Sequence, residues 1–290
     1  MIDKYINYLY NDLLKYRKHM DIKNMDIIFE GGLFNGGYLL GVLEYIKFLE
    51  TKDYIVVNRI SGTSVGSIIG LLYFIEYSNS DIDELISSSY NHFRTKYNVN
   101  IFDKIFSYLK TKLTQDMLKK INNKLYISYF DLKKNKHIVK KTYKNIDVLL
   151  DTIRKSCSMP IVIDNNLTYK NRYIDGLYPY LFNPTKNTRI LYLNIHTFDK
   201  LFNMIKIKNE KTSTKRILVG VMDLHNFLST GNTTNICSFV DSWTLIDNIK
   251  YTSFIYILNI YYYLVYKVYL IKKHKIFNYI YIYLLKTFCL

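Results

Sequence analysis

Ile60-Ser61-Gly62-Thr63-Ser64-Val65-Gly66-Ser67 decides how this chain is read. Just before it, Ile55-Val56-Val57 together with Ile60 is β-branched and apolar, as a buried strand should be. Just after it, Ser67-Ile68-Ile69-Gly70-Leu71-Leu72-Tyr73-Phe74-Ile75 is apolar on most faces, a helix expected only inside a core. Between strand and helix lies Gly62-x-Ser64-x-Gly66, the spacing of a nucleophile elbow. A turn that sharp brings strand and helix too close for Cβ atoms, which is why glycines flank the serine. The Ser64 hydroxyl is then held on a strained peak, with the N–H groups and positive dipole end of a helix behind it. A three-position pattern also arises by chance, so the strand before and the helix after carry most of the weight.

Working outward, Asp26-Ile27-Ile28-Phe29-Glu30 reads as a second buried strand. It runs into Gly31-Gly32-Leu33-Phe34-Asn35-Gly36-Gly37, and a helix with an apolar stripe is expected over Tyr38 to Leu49. A glycine-rich turn between strand and helix presents backbone N–H groups in a concave array that suits an oxyanion or a phosphate. The glycine spacing is not that of a dinucleotide fingerprint. Acyl transfer needs a nucleophile and donors aimed at the tetrahedral oxyanion, and the two βα units supply one each.

Further on, Tyr173-Ile174-Asp175-Gly176 places a carboxylate at the end of a short apolar-aromatic run. Alone it is an ordinary Asp-Gly turn. Together the three stretches resemble the patatin-like phospholipase family, with a glycine-rich segment (Gly31 to Gly36), an elbow (Gly62 to Gly66) and a late Asp175-Gly176. Ser156-Cys157-Ser158-Met159-Pro160 is similar to the small-residue-plus-proline segment that precedes the family's aspartate. The resemblance spans about Asp26 to His196. It implies a three-layer α/β/α sandwich around a mainly parallel sheet and a phospholipase A-type lipid acyl hydrolase without metal or cofactor. Ser64 would be the nucleophile and Asp175 its proton acceptor. Gly31, Gly32, Leu33, Asn35 and Gly36 would line the oxyanion hole.

Two residues of the glycine-rich segment depart from the family pattern. Leu33 stands at the third glycine of the segment, and Asn35 stands where a basic residue is usual. Leu33 is strained if its φ is positive. A weakened oxyanion hole costs on the order of 10²–10³ in turnover. Leu177 also follows the Asp-Gly pair where a small residue is common. These departures motivate a second reading, a membrane-binding protein that keeps the fold and has lost turnover. A third is an esterase of the α/β-hydrolase type, because Ser64, Asp175 and His196 follow that fold's triad order.

At 290 residues and 49% hydrophobic, the chain fills one large domain, or one domain plus an extension. Its net charge of +16 is spread over scattered lysines, such as Lys119-Lys120, Lys133-Lys134 and Lys140-Lys141. No nucleic-acid motif surrounds them, so anionic lipid headgroups are the expected partner. The sequence has no alanine and 30 tyrosines, a bias towards residues with AT-rich codons that also inflates lysine. Cys157, Cys237 and Cys289 form neither a disulfide framework nor a metal spacing. With no apolar N-terminal signal segment, an intracellular setting is expected. His19, His92, His137, His225 and His274 form no ligand pair at helical spacing.

The remaining elements read in order. Asp3 to His19 is an amphipathic helix, and Ser80 is an N-cap ahead of Asp81 to Ile86. Ile101 to Asn122 is helical, as a lid or as a packed pair. Leu125 to Phe130 and His137 to Tyr143 form a hairpin, Ile146 to Arg154 a helix and Arg189 to Ile195 a buried strand. A boundary is expected near 235, with residues 1–235 as the hydrolase domain and 236–290 as an apolar, Tyr-rich helical extension. Within it, Tyr251 to Tyr266 carries no charge and Lys272-Lys273-His274-Lys275 is basic. Three readings stay open for this extension: a buried helix, an interfacial membrane helix and a marginal spanning anchor.

Overall fold

The computed structural model describes residues 2–15, 23–100, 102–196, 200, 204, 206–207 and 210–271. Its centre is β1 (Asn24–Phe29), buried along almost all its length. It lies parallel to β2 (Val56–Thr63) on one side and to β6 (Arg189–Leu193) on the other. β3 (Leu125–Asp131) continues the parallel set beside β2. The edges are antiparallel: β4 (Lys136–Lys140) on β3, and β7 (Cys237–Phe239) on β6. The order is β4-β3-β2-β1-β6-β7, with β5 (Tyr173–Asp175) off this path and antiparallel to β3. The mostly parallel sheet flanked by helices is the expected α/β sandwich.

Alternation along the strands sorts side chains to two faces. Ile27, Phe29, Ile127, Leu191 and Leu193 enter the main core. That core also holds Ile6, Leu9 and Leu13 of α1 (Ile2–Leu13), α2 (Gly36–Thr51), α3 (Val65–Phe74) and α8 (Thr214–Thr230). α2 and α8 cross with backbones touching. A Cβ on Gly41 would lie 2.0 Å from the Ile217 carbonyl oxygen, and one on Gly220 2.0 Å from that of Tyr38. On the other face Ile28, Ile190 and Tyr192 meet Trp243 and Tyr251, and further along Phe130 and Ile174 meet Tyr262 and Val265. These partners belong to α9 (Leu245–Ile271) or immediately precede it. α9 is therefore the third layer.

Several expectations are refined. The first helix ends at Leu13, and the stretch from 16 to 22 lies outside the described residues. The N-cap position before α4 (Asn79–Lys96) is Ser78, not Ser80. The expected helix over 101–122 is two, α5 (Phe102–Lys112) and α6 (Gln115–Ile121). Thr114 separates them and caps α6 by accepting from the Met117 N–H at 3.2 Å. Both pack into the main core. The hairpin is present, but its second strand stops at Lys140. α7 (Ile146–Ser156) runs two residues past its expected end. The boundary near 235 falls inside the sheet, because β7 pairs with β6 beyond it. Among the described residues no helix is long and apolar enough to cross a membrane, and the basic cluster at 272–275 lies outside them.

Candidate active site

The elbow is built as its glycines require. Ser64 sits between β2 and α3 at φ 51° and ψ −132°, a conformation costing on the order of 1–3 kcal/mol for a non-glycine residue. A Cβ on Gly62 would lie 2.4 Å from the Gly66 carbonyl oxygen, and one on Gly66 2.5 Å from those of Phe29 and Glu30. The end of β1 thus pins the turn from behind.

Sheet register brings Asp175 to Ser64. β2 leaves β3 with Thr63 opposite Ser128, and β5 takes over the same edge with Asp175 opposite Tyr129, the next residue. Elbow and aspartate therefore meet head to head. Only glycine fits after the aspartate, since a Cβ on Gly176 would lie 2.3 Å from the Ser128 carbonyl oxygen and 2.5 Å from Thr63 Oγ1. Asp175 is 2% exposed. Its Oδ1 accepts from the Leu177 N–H at 2.8 Å, its own N–H donates to the Ser158 carbonyl at 2.9 Å, and Tyr262 Oη donates to its carbonyl at 3.1 Å. Oδ2 is buried with no hydrogen bond of good geometry among the described residues. Burial pushes the carboxyl from 3.8 to about 6, opposed first by the nearby Ser64 hydroxyl and then by the Leu177 N–H. The Ser64 hydroxyl is thus an immediate neighbour of the buried carboxylate.

The segment after α7 braces both residues. Ser64 N–H donates to Ser156 Oγ at 2.9 Å, and Ser156 Oγ–H donates to the Ser128 carbonyl at 2.6 Å. Two residues on, Ser158 holds Asp175 as above. Small residues are required here because the chain runs against the backbones of elbow and β3. His137 of β4, one of the histidines that form no ligand pair at helical spacing, braces the far side. Its ring stacks on Tyr178 at 4.1 Å, and its Nε2 lies 3.2 Å from the Gly176 carbonyl.

The glycine-rich turn divides its residues differently from the expectation. A Cβ on Gly31 would lie 2.7 Å from Ser64 Cβ, so this backbone abuts the serine. Leu33 does adopt a positive φ, 46°. Asn35 donates its N–H to the Gly32 carbonyl at 2.9 Å, and the Gly36 N–H is taken up by the carbonyls of Leu33 and Phe34. The Asn35 amide turns away from the serine, donating to the carbonyls of Ile195 at 3.2 Å and Lys200 at 2.9 Å. Its Oδ1 accepts from Arg216 Nη1 at 2.7 Å, and that buried guanidinium is itself held by Glu210. Neither Asn35 nor Gly36 has a donor left for an oxyanion. Among the described residues the N–H groups of Gly31, Gly32 and Leu33 make no backbone hydrogen bond.

Ser64 and Asp175 share a cavity of about 30 Å³ with Gly31, Leu33, Leu177 and His196. On one side an apolar cavity of about 90 Å³ touches Ser64 and is walled by Val65, Ile68, Phe102 and Ile105. A second, of about 120 Å³, shares Leu33, Val65, Ile68 and Ile105 with it and runs between α3 and α4. On the other side a cavity of about 400 Å³ is lined by Glu30, His196, Asn194, Trp243, Asp247 and Tyr251. His196 lines both the 30 Å³ cavity and this 400 Å³ one, and its Nδ1 lies 3.0 Å from Glu30 Oε2.

Among solved structures, the crystal structure of VipD from Legionella pneumophila is similar at 11% identity and a TM-score of 0.33. The match covers 58% of this chain and 49% of that one, so the chain spans about half the length of that protein. No curated protein matches the sequence. The sequence model of the family described as patatin-like phospholipase matches residues 27–249, from the middle of β1 into α9. The chain belongs to the patatin-like phospholipase family, whose general activity is hydrolysis of lipid acyl esters.

Proposed function

We propose that the protein is a phospholipase A-type hydrolase that cleaves acyl esters with a Ser64–Asp175 dyad. The observation that carries this reading is the strained Ser64 placed end to end with a buried, half-satisfied Asp175. As Ser64 Oγ attacks the ester carbonyl carbon, its proton passes to Asp175 Oδ2. The carbonyl oxygen becomes an oxyanion held by the N–H groups of Gly31, Gly32 and Leu33. Collapse expels the lysophospholipid alkoxide, which takes the proton from Asp175. Water, deprotonated by the same carboxylate, then attacks the acyl-serine, and the fatty acid leaves as Ser64 Oγ takes the proton back from Asp175. A carboxylate raised to about 6 suits this work, being ionised at neutral pH yet basic enough to accept a proton. The two apolar cavities beyond Ser64 suit the acyl chain.

α9 fits an interfacial role. One face packs on the sheet, while Leu245, Ile246, Ile249, Tyr256, Ile257, Ile260, Tyr263 and Leu264 stay exposed on the outside. A helix with such a face binds at the headgroup boundary, and the net charge of +16 favours an anionic surface. The triad reading is weaker, because His196 Nδ1 lies 3.0 Å from Glu30 Oε2 and, among the described residues, no hydrogen bond joins His196 to Asp175. The turnover-deficient reading draws on the strained Leu33 and the engaged Asn35.

The test is fatty-acid release from mixed phospholipid vesicles by wild type, Ser64→Ala and Asp175→Asn. Release by wild type that both variants abolish supports the dyad. A wild type that binds vesicles and releases nothing makes the turnover-deficient reading the correct one.

A further inference from the structure

We propose that His196, clamped by Glu30, is a positioning residue for the reaction: its imidazolium stands across the catalytic cavity from Asp175 and keeps that carboxylate in its proton-accepting form. The inference rests on the dyad reading above. Glu30 directly follows β1 and is 1% exposed. Its carboxylate gathers three groups from the end of β6. Oε1 accepts from Tyr192 Oη, Oε2 accepts from the Ile195 N–H at 3.1 Å, and Oε2 lies 3.0 Å from His196 Nδ1. The His196 N–H donates to Asn194 Oδ1 at 2.8 Å, and the ring packs on Phe254 of α9 at 5.5 Å.

Its other neighbour is the catalytic cavity. That space is about 30 Å³, and the His196 ring and Asp175 both line it. The imidazole therefore sits between two buried carboxylates. Across the larger cavity it faces Asp247, Lys250 and Tyr251 of α9. Tyr251, like Tyr192, is pushed up by burial and stays neutral at working pH. Burial pulls the imidazole down, but Glu30 first and then Asp175 outweigh it, so His196 holds its proton above the usual histidine range. Reciprocally, His196 is among the groups that pull Asp175 down against burial.

The test is the pH profile of kcat/KM on a soluble ester, p-nitrophenyl butyrate, for wild type, His196→Gln, Glu30→Gln and the double variant. Without the imidazolium, the acid limb in His196→Gln should move up by about one pH unit or more, with activity regained to within a few-fold at pH 8.5 and above. Glu30→Gln should move it the same way, and the double variant no further than His196→Gln. A His196→Gln profile that overlays wild type overturns the proposal. So does a folded His196→Gln enzyme that is dead at every pH, which makes His196 a triad base. A second readout does not need turnover. The NMR titration midpoint of the His196 ring should fall in Asp175→Asn and in Glu30→Gln, and an unmoved midpoint in Asp175→Asn also overturns it. Should wild type hydrolyse no ester, the dyad reading fails by itself and the titration still decides the coupling.

Discussion

Ser156→Ala removes one oxygen and leaves two backbone groups without partners. The Ser156 hydroxyl accepts from the Ser64 N–H at 2.9 Å and donates to the Ser128 carbonyl at 2.6 Å. Ser64, Ser128 and Ser156 are all buried, the last two at 0% exposure, so water does not readily replace the lost hydroxyl. Each buried polar group left unpaired costs about 1–3 kcal/mol, and the two together about 2–4 kcal/mol once some relaxation is allowed. Against a total stability of roughly 5–15 kcal/mol this is a large share. For a domain of this size it lowers Tm by about 5–10 °C. The assay is urea unfolding followed by circular dichroism, with Ser229→Ala as control, since that exposed hydroxyl only caps the Asn226 carbonyl. Ser156→Ala should also slow ester hydrolysis, because the nucleophile's turn loses a brace. A loss under about 0.5 kcal/mol, equal to the control, would refute the bridging account.

The other predictions concern charge, chain length and membrane contact. Burial holds Asp175 at about 6 against 3.8, so its ionisation opposes folding above pH 6, by about 3 kcal/mol in the limit. A raised folded pKa means stability is greatest below pH 4 and is lost as pH rises through 6. Asp175→Asn should therefore unfold at higher urea than wild type at pH 8, with the advantage gone at pH 4. An Asp175→Asn protein that is less stable at pH 8 contradicts this. Ile68 walls both apolar cavities. Ile68→Trp should exclude about four methylenes worth ~0.8 kcal/mol each, cutting activity on long-chain relative to butyryl esters about 10²-fold. An unchanged chain-length profile places the acyl group elsewhere. Replacing Ile246, Ile249 and Ile257, each more than half exposed on α9, by Asp should lower activity on anionic vesicles far more than on p-nitrophenyl butyrate. Parallel losses on both substrates would show a folding defect instead.

The parts of the site that depend on local backbone geometry were legible in the residues. Gly62, Ser64 and Gly66 announce a turn that only glycines allow, and the structure has that turn, with the serine at positive φ. Leu33 at a glycine position foretold its own strain. What depends on long-range pairing was not legible. β5 is a three-residue strand, too short for periodicity to mark, and its placement beyond the end of β2 is set by the register of β3. The Ser156 bridge joins residues 92 and 28 apart along the chain, which spacing cannot reveal. Asn35 looked like a donor for the site, and only its partners, Ile195, Lys200 and Arg216, show its amide committed elsewhere. α8 drew no reading at all. A signal was present in Gly220, whose missing Cβ lets the helix meet α2, but it needs Gly41 on the other helix to be recognised. α9 left three readings open because its apolar residues do not mark a single face. One face is a sheet-covering layer and the other is open, and composition alone does not separate them.

The central claim is that Ser64 is a nucleophile made reactive by Asp175. The most direct measurement is covalent labelling by a fluorophosphonate, followed by intact mass and peptide mapping. The account predicts one adduct, on Ser64, absent in Ser64→Ala and formed at least 10²-fold more slowly in Asp175→Asn, in line with the loss of a positioned base. Labelling of another residue, or equal rates in wild type and Asp175→Asn, would contradict it.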